Sequence, residues 1–125
     1  MKKVLFFISI ISVFIACKSG DEKQNVEDKT KIVDITEIPD YQKGLELTSK
    51  SDCFTCHKID EKNIGPAWRD VANKYANTDD AEEILAKKII EGGSGNWGEI
   101  PMASHANFSE EEAKTIVRYI LLMKE

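Results

Sequence analysis

Cys53-Phe54-Thr55-Cys56-His57 places two thiols and an imidazole within five consecutive residues. This C-x-x-C-H spacing is the attachment sequence of a c-type haem. Two thiols on one turn can add to the two vinyl groups of the macrocycle, and the histidine directly after the second is held against one face of the iron. The competing readings are a redox dithiol and half of a zinc site. Zinc takes four ligands, yet outside the motif the chain offers only Cys17 and His105. A redox dithiol of the thioredoxin type sits among strands and crossover helices, and no stretch here alternates as a strand. One covalently attached haem c is therefore expected on Cys53 and Cys56, with His57 as its first axial ligand.

The N-terminus supplies a compartment suited to that chemistry. Met1-Lys2-Lys3 is a short basic region, Val4 to Ala16 is almost wholly apolar, and a cysteine follows at once. This is the layout of a secretory signal, and it is short for a spanning helix of about 20 residues. Phe14-Ile15-Ala16-Cys17 resembles the lipobox of bacterial lipoproteins, with Phe14 in place of the usual leucine. The expectation is a signal peptide over 1–16 and lipidation of Cys17. Ordinary signal cleavage and an uncleaved anchor helix are the alternatives. Lipidation accounts for all three cysteines without a disulfide.

The full chain of 125 residues carries a formal charge of −5. Removing the signal takes away Lys2 and Lys3 and no acid, which leaves 15 basic against 22 acidic residues, or −7. Such a surface repels phosphate backbones, so nucleic acid is excluded as a partner. From Lys18 to Pro39 polar and charged residues dominate, and such a segment cannot bury enough apolar surface to order itself. Residues 17–39 read as a lipidated N-terminus and flexible tether, about 25 Å in root-mean-square span. Ile32, Val33, Ile35 and Ile38 allow its end to lie on the domain that follows.

Residues 40–125 read as one all-α domain of about four helices. Asp40 to Ser51 carries Tyr41, Gly44, Leu45 and Leu47 at helical spacing. Pro66 suits the first turn of a second helix through Tyr75, because its missing N–H is not needed there. Asp79 with Glu82 has capping-box spacing ahead of a third helix, which Gly92-Gly93 stops. Ser109 with Glu112 caps the last helix, whose stripe of Ala113, Ile116, Val117, Ile120, Leu121 and Met123 faces a core. A domain this small has a thin core for its surface, and a flat apolar cofactor would fill it. For the sixth ligand the candidates are Met102, Met123 and His105. Met123 belongs to the apolar stripe, where methionine is ordinarily filling, and His105 reads as a solvent-exposed loop residue. Met102, in a non-helical loop after Pro101, is the expected ligand.

These segments, together with Asn63-Ile64-Gly65-Pro66-Ala67-Trp68, Gly92-Gly93-Ser94-Gly95-Asn96-Trp97-Gly98 and Ile100-Pro101-Met102, resemble the small class I bacterial monohaem cytochromes c. The resemblance runs from Gly44 to the last helix. It implies the class I fold, with the first helix crossing the last at Gly44 and Tyr119. It further implies that the Pro66 carbonyl orients His57 and that Trp97 lies against the haem near a propionate. Ala103, where the family often has proline, and His105 depart from its pattern. With both axial positions filled the iron has no open site, so the expected function is an electron carrier rather than an enzyme, cycling Fe(III) and Fe(II). Its expected partners are extracytoplasmic or membrane-bound redox proteins, such as a quinol-oxidising complex or a terminal oxidase or reductase. The alternatives are an open-site haem sensor and an electron-entry subunit of a larger oxidoreductase.

Overall fold

The computed structural model describes residues 34–125. The signal peptide, Cys17 and most of the expected tether lie outside the described residues. The end of the tether, however, is folded chain. Asp34 accepts a hydrogen bond from the Thr36 N–H at 2.9 Å and caps a 3-10 turn, Ile35–Glu37. The Gln42 side chain then donates to the Thr36 carbonyl at 3.1 Å and ties this turn to the helix that follows.

Five helices succeed one another: α1 (Pro39–Ser49), α2 (Cys53–Cys56), α3 (Trp68–Tyr75), α4 (Ala81–Glu91) and α5 (Glu110–Leu121). The fifth over the four expected is the single turn that carries the two thiols. Between α4 and α5 the chain makes a small antiparallel hairpin, β1 (Gly93–Gly95) with β2 (Gly98–Met102), pairing Gly93 with Met102 and Gly95 with Gly98. The hairpin adds two short strands to a domain that is otherwise helical, as expected for the class I fold. The strands are almost fully exposed and rich in glycine, so neither burial nor alternation marked them in the sequence.

The expected capping box opens α5. The Glu112 N–H donates to Ser109 Oγ at 3.3 Å, while the Glu112 carboxylate accepts from the Ser109 N–H at 2.9 Å. Two other helix starts differ from expectation. In α4 no side chain caps the first turn; Asp80 is the N-cap, and the Ala81 N–H donates instead to the Thr78 carbonyl in the tight turn from α3. In α3 the first turn begins two residues after Pro66. The amides of Trp68 and Arg69 donate back to the carbonyls of Lys58 and Ile59, at 2.9 and 3.0 Å. Amides that a helix start leaves unpaired are thereby satisfied by the preceding loop, and Pro66 stays outside the helix.

The core is the face that α5 presents to its neighbours. Ala113, Ile116, Val117, Tyr119 and Ile120 are buried there, against Trp68, Val71 and Ala72 of α3 and Ala86 and Ile89 of α4. Met123, an expected filling residue, is buried with them. On the other side α1 crosses α5 at Gly44, where a Cβ would overlap the Cβ of Tyr119 and lie 3.0 Å from the Thr115 carbonyl oxygen. Tyr119 is fully buried, edge-on to Tyr41 and to Trp68 with ring centroids 5.0 and 5.7 Å away. Arg118 pairs with Asp40, Glu82 and Glu111 and so joins α1, α4 and α5 at the surface.

Two predictions follow from this packing. Helix propensity alone favours Gly44→Ala by about 1 kcal/mol. The overlap with Tyr119 opposes it, since overpacking costs about 1–3 kcal/mol or more. Denaturant titration should therefore show Gly44→Ala unfolding at lower denaturant than the wild type, and a higher midpoint would contradict the close crossing. The second concerns the Tyr119 hydroxyl, which is buried and has no hydrogen-bond partner among the described residues. Burial, and to a lesser degree the neighbouring Tyr41, pushes it up to about 12. An unfolded tyrosine ionises near pH 10, so its contribution is complete below about pH 10 and is lost as pH rises through about 12. Near pH 11 the wild type should have lost stability relative to Tyr119→Phe, compared with their difference at neutral pH. Parallel stability curves for the two proteins across that window would contradict it.

Candidate functional site

Backbone hydrogen bonds define the shape of the attachment motif. The single turn of α2 brings Cys53 and Cys56 to one side, and the His57 N–H closes it on the Cys53 carbonyl at 3.0 Å. The chain then folds back across the motif. The Gly65 N–H donates to the Cys56 carbonyl at 2.8 Å, and the Asn63 side chain donates to the Thr55 carbonyl at 3.0 Å. At Gly65 a Cβ would stand 2.5 Å from Cε1 of His57, so only glycine lets this loop lie against the ring.

The fold-back delivers the Pro66 carbonyl to Nδ1 of His57 at 2.8 Å. A carbonyl only accepts, so Nδ1 carries the proton and Nε2 keeps its lone pair. That tautomer is what a metal requires, and a hydrogen bond at the far nitrogen is the usual device for fixing a ligating imidazole. Trp68 stacks beside the ring at 6.1 Å between centroids, with Phe54 against its indole at 4.8 Å.

The motif opens onto a cavity of about 430 Å³. Cys53, Cys56 and His57 line one part of it, Val71 of α3 and Ile116, Val117 and Ile120 of α5 make apolar walls, and Trp97 and Met102 come from the hairpin. The volume lies in the range of sites that enclose a small-molecule cofactor. The two sulfurs form no disulfide with each other, and the Ser51 hydroxyl lies 3.2 Å from that of Cys53. Among the described residues no three His, Cys, Asp or Glu side chains gather as a metal-binding group, so a zinc site finds no further ligands. Two thiols, one oriented imidazole, one thioether and apolar walls fit a flat iron macrocycle.

The hairpin positions the distal side. Met102 ends β2, half-buried against the core. The close turn at its base needs Gly92, which has φ +74° and where a Cβ would lie 2.5 Å from the Met102 carbonyl oxygen. Trp97 is partly exposed, and Lys74 Nζ sits 4.3 Å from its ring centroid while donating to the Asn96 carbonyl at 3.1 Å. The hairpin tip is thus held to α3.

His105 differs from its expectation. It is not a solvent-exposed loop residue: its side chain is 15% exposed, its ring stacks on Phe108, and its Nε2 lies 2.9 Å from Oδ1 of Asp52. That hydrogen bond is the main reason the Asp52 carboxyl is held below the ordinary carboxylate range. Asp52 went unremarked in the sequence, and the contact spans 53 positions, so no local pattern signals it.

The comparisons agree with this geometry. The family described as Cytochrome c matches residues 41–124. Cytochrome c-552 of Nitrosomonas europaea is 45% identical over 83 residues, covering 66% of this chain and 81% of its own. Cytochrome c-551 of Azotobacter vinelandii is 46% identical over 81 residues, 65% of this chain and 98% of its own. The crystal structure of wild-type Nitrosomonas europaea cytochrome c552 superposes with a TM-score of 0.61 at 46% identity, over 63% of this chain and 98% of that one. The chain belongs to the cytochrome c family as a small class I monohaem member, an electron carrier with one covalently bound haem c.

Proposed function

We propose that Cys53 and Cys56 hold the haem through thioethers, that His57 and Met102 are its axial ligands, and that the chain passes single electrons between extracytoplasmic or membrane-bound redox proteins. The observation that carries this reading is the pairing on one cavity of His57, fixed by Pro66 at 2.8 Å, with the thioether of Met102. When bound, the haem supplies a one-electron couple whose potential methionine–histidine ligation raises.

The residues contribute orientation and exclusion. Pro66 and Gly65 stop His57 from turning. Val71, Ile116, Val117 and Ile120 keep water from the cofactor's faces, and burial of this kind is one of the means by which a protein sets the potential. Because both axial groups come from pinned segments, little must rearrange when the charge of the site changes. Ile64 and Ile100 line the cavity yet are 51% and 67% exposed. They supply an apolar rim at which a partner can approach the cofactor closely, which supports transfer between proteins over chemistry on a bound substrate. Trp97 we place beside a haem propionate, steadied there by Lys74.

The anchor is the second part of the reading. Lipidation at Cys17 after removal of residues 1–16 would hold the folded domain at a membrane through a tether that ends where the chain folds at Asp34. Among the described residues no helix is long and apolar enough to cross a membrane. Durable attachment would rest on acyl chains, each methylene contributing about 0.8 kcal/mol. Its electron donors and acceptors would then be membrane-bound or extracytoplasmic, such as a quinol-oxidising complex or a terminal oxidase or reductase.

Extraction with acidic organic solvent should leave colour on the wild-type polypeptide and remove it from any material formed by Cys53→Ala/Cys56→Ala. The oxidised wild type should show the weak red absorption of an iron–methionine bond. Met102→Ala should lose it and bind carbon monoxide, and Met102→His should lower the potential. Loss of the red band in His105→Ala but not in Met102→Ala would overturn the ligand assignment. For the anchor, intact-mass analysis should find a chain beginning at a lipid-modified Cys17, and Cys17→Ser should release the haem protein from the membrane fraction or leave an unprocessed precursor. A wild-type chain with an unmodified Cys17 thiol would remove the anchor while leaving the electron carrier in place.

A further inference from the structure

We propose that the hydrogen bond between Asp52 and His105 is a latch that keeps the distal loop closed over the cavity, and that His105 is thereby a positioning residue for Met102. This rests on the reading of Met102 as an axial ligand. The loop that follows Met102 is otherwise tied to one side only. Ser104 Oγ donates to the Ile90 carbonyl at 2.6 Å, and the His105 N–H donates to the Ile89 carbonyl at 3.1 Å. Both acceptors belong to the last turns of α4. With those bonds alone the loop is hinged on α4 and can swing away from the attachment segment.

The bond at 2.9 Å between His105 Nε2 and Asp52 Oδ1 closes the other side. Asp52 is the N-cap of α2 and the residue directly before Cys53. Among the described residues this is the one hydrogen bond joining segment 102–105 to segment 52–57. Asp52, His105, Met102 and Cys53 all line the same cavity. The carboxylate can only accept, so Nε2 is the donor. The partly buried imidazole stacks on Phe108, which limits its freedom to look for another partner. Among the described residues no other polar group pairs with its Nδ1, which is buried, and the bond to Asp52 is the side chain's one polar tie.

The latch makes a quantitative demand. An exogenous ligand such as imidazole can replace a methionine only in molecules whose loop is open, so its apparent affinity is the intrinsic affinity multiplied by the open fraction. Removing one intramolecular hydrogen bond raises a small open fraction by about two- to tenfold. Imidazole affinity should rise by the same factor.

The experiment is titration of the oxidised holoprotein with imidazole, followed in the visible spectrum, for wild type, Asp52→Ala, His105→Ala, the double variant and His105→Gln. Asp52 is largely exposed, so replacing it leaves the core packing intact. Each single alanine variant should keep the red band and bind imidazole about two- to tenfold more tightly. The double variant should match the singles, because both remove one bond. The glutamine amide can donate to Asp52 and should return the affinity toward that of the wild type. Red bands present throughout with unchanged imidazole affinities overturn the latch alone, including where the unfolding midpoints fall, since that marks a purely structural contact. A wild type lacking the red band overturns the Met102 assignment and the latch with it.

Discussion

A cavity of about 430 Å³ stands where a chain of this length would otherwise place the centre of its core. The rest of the structure answers to that constraint. α5 buries Ile116, Val117 and Ile120, and the same three residues also wall the cavity. The close crossing of α1 and α5 at Gly44 braces the far side of α5. A small domain buries a modest share of its surface, and leaving its central space to a cofactor makes the cofactor part of the core. Stability and function are then carried by the same contacts.

Two kinds of restraint surround the cavity. On the attachment side the restraints are local in sequence: the turn 53–57 and the fold-back through Gly65 and Pro66 fix His57 within ten residues. On the distal side they are long-range. Met102 reaches its place through a glycine-rich hairpin, held by Lys74 at its tip, by Ile89 and Ile90 at its base, and by Asp52 across the cavity. The proximal side is therefore rigid by construction, while the distal side stays closed only through bonds that side-chain changes can remove individually. Differences in reactivity among variants of this chain should arise mainly on the Met102 side.

This division also explains what was legible in the sequence. The motif Cys53 to His57, the capping box of Ser109 with Glu112 and the stripe on α5 are patterns over a few residues, and each could be read directly. The Pro66 hydrogen bond came from the family resemblance, since nothing in the residue itself says where its carbonyl points. The hairpin 93–102 was missed because its strands are exposed glycine, serine and proline, with neither alternation nor a buried face. Pro66 was placed inside α3 because helix propensity cannot register that the carbonyls of Lys58 and Ile59 serve that helix's first amides. His105 was read as exposed because its partner lies 53 positions away. Local rules reached the helices and the turn that carries Cys53, Cys56 and His57, whereas the contacts of His105 are long-range.

The central claim is that the cofactor completes the core, and the apoprotein tests it most directly. Far-ultraviolet circular dichroism and denaturant titration of the haem-free Cys53→Ala/Cys56→Ala chain should show little helix and no cooperative transition, against a sharp two-state unfolding of the holoprotein. A haem-free chain with holoprotein-like helix content and a cooperative transition at a similar midpoint would show that the helices hold the cavity open by themselves, and would contradict the account.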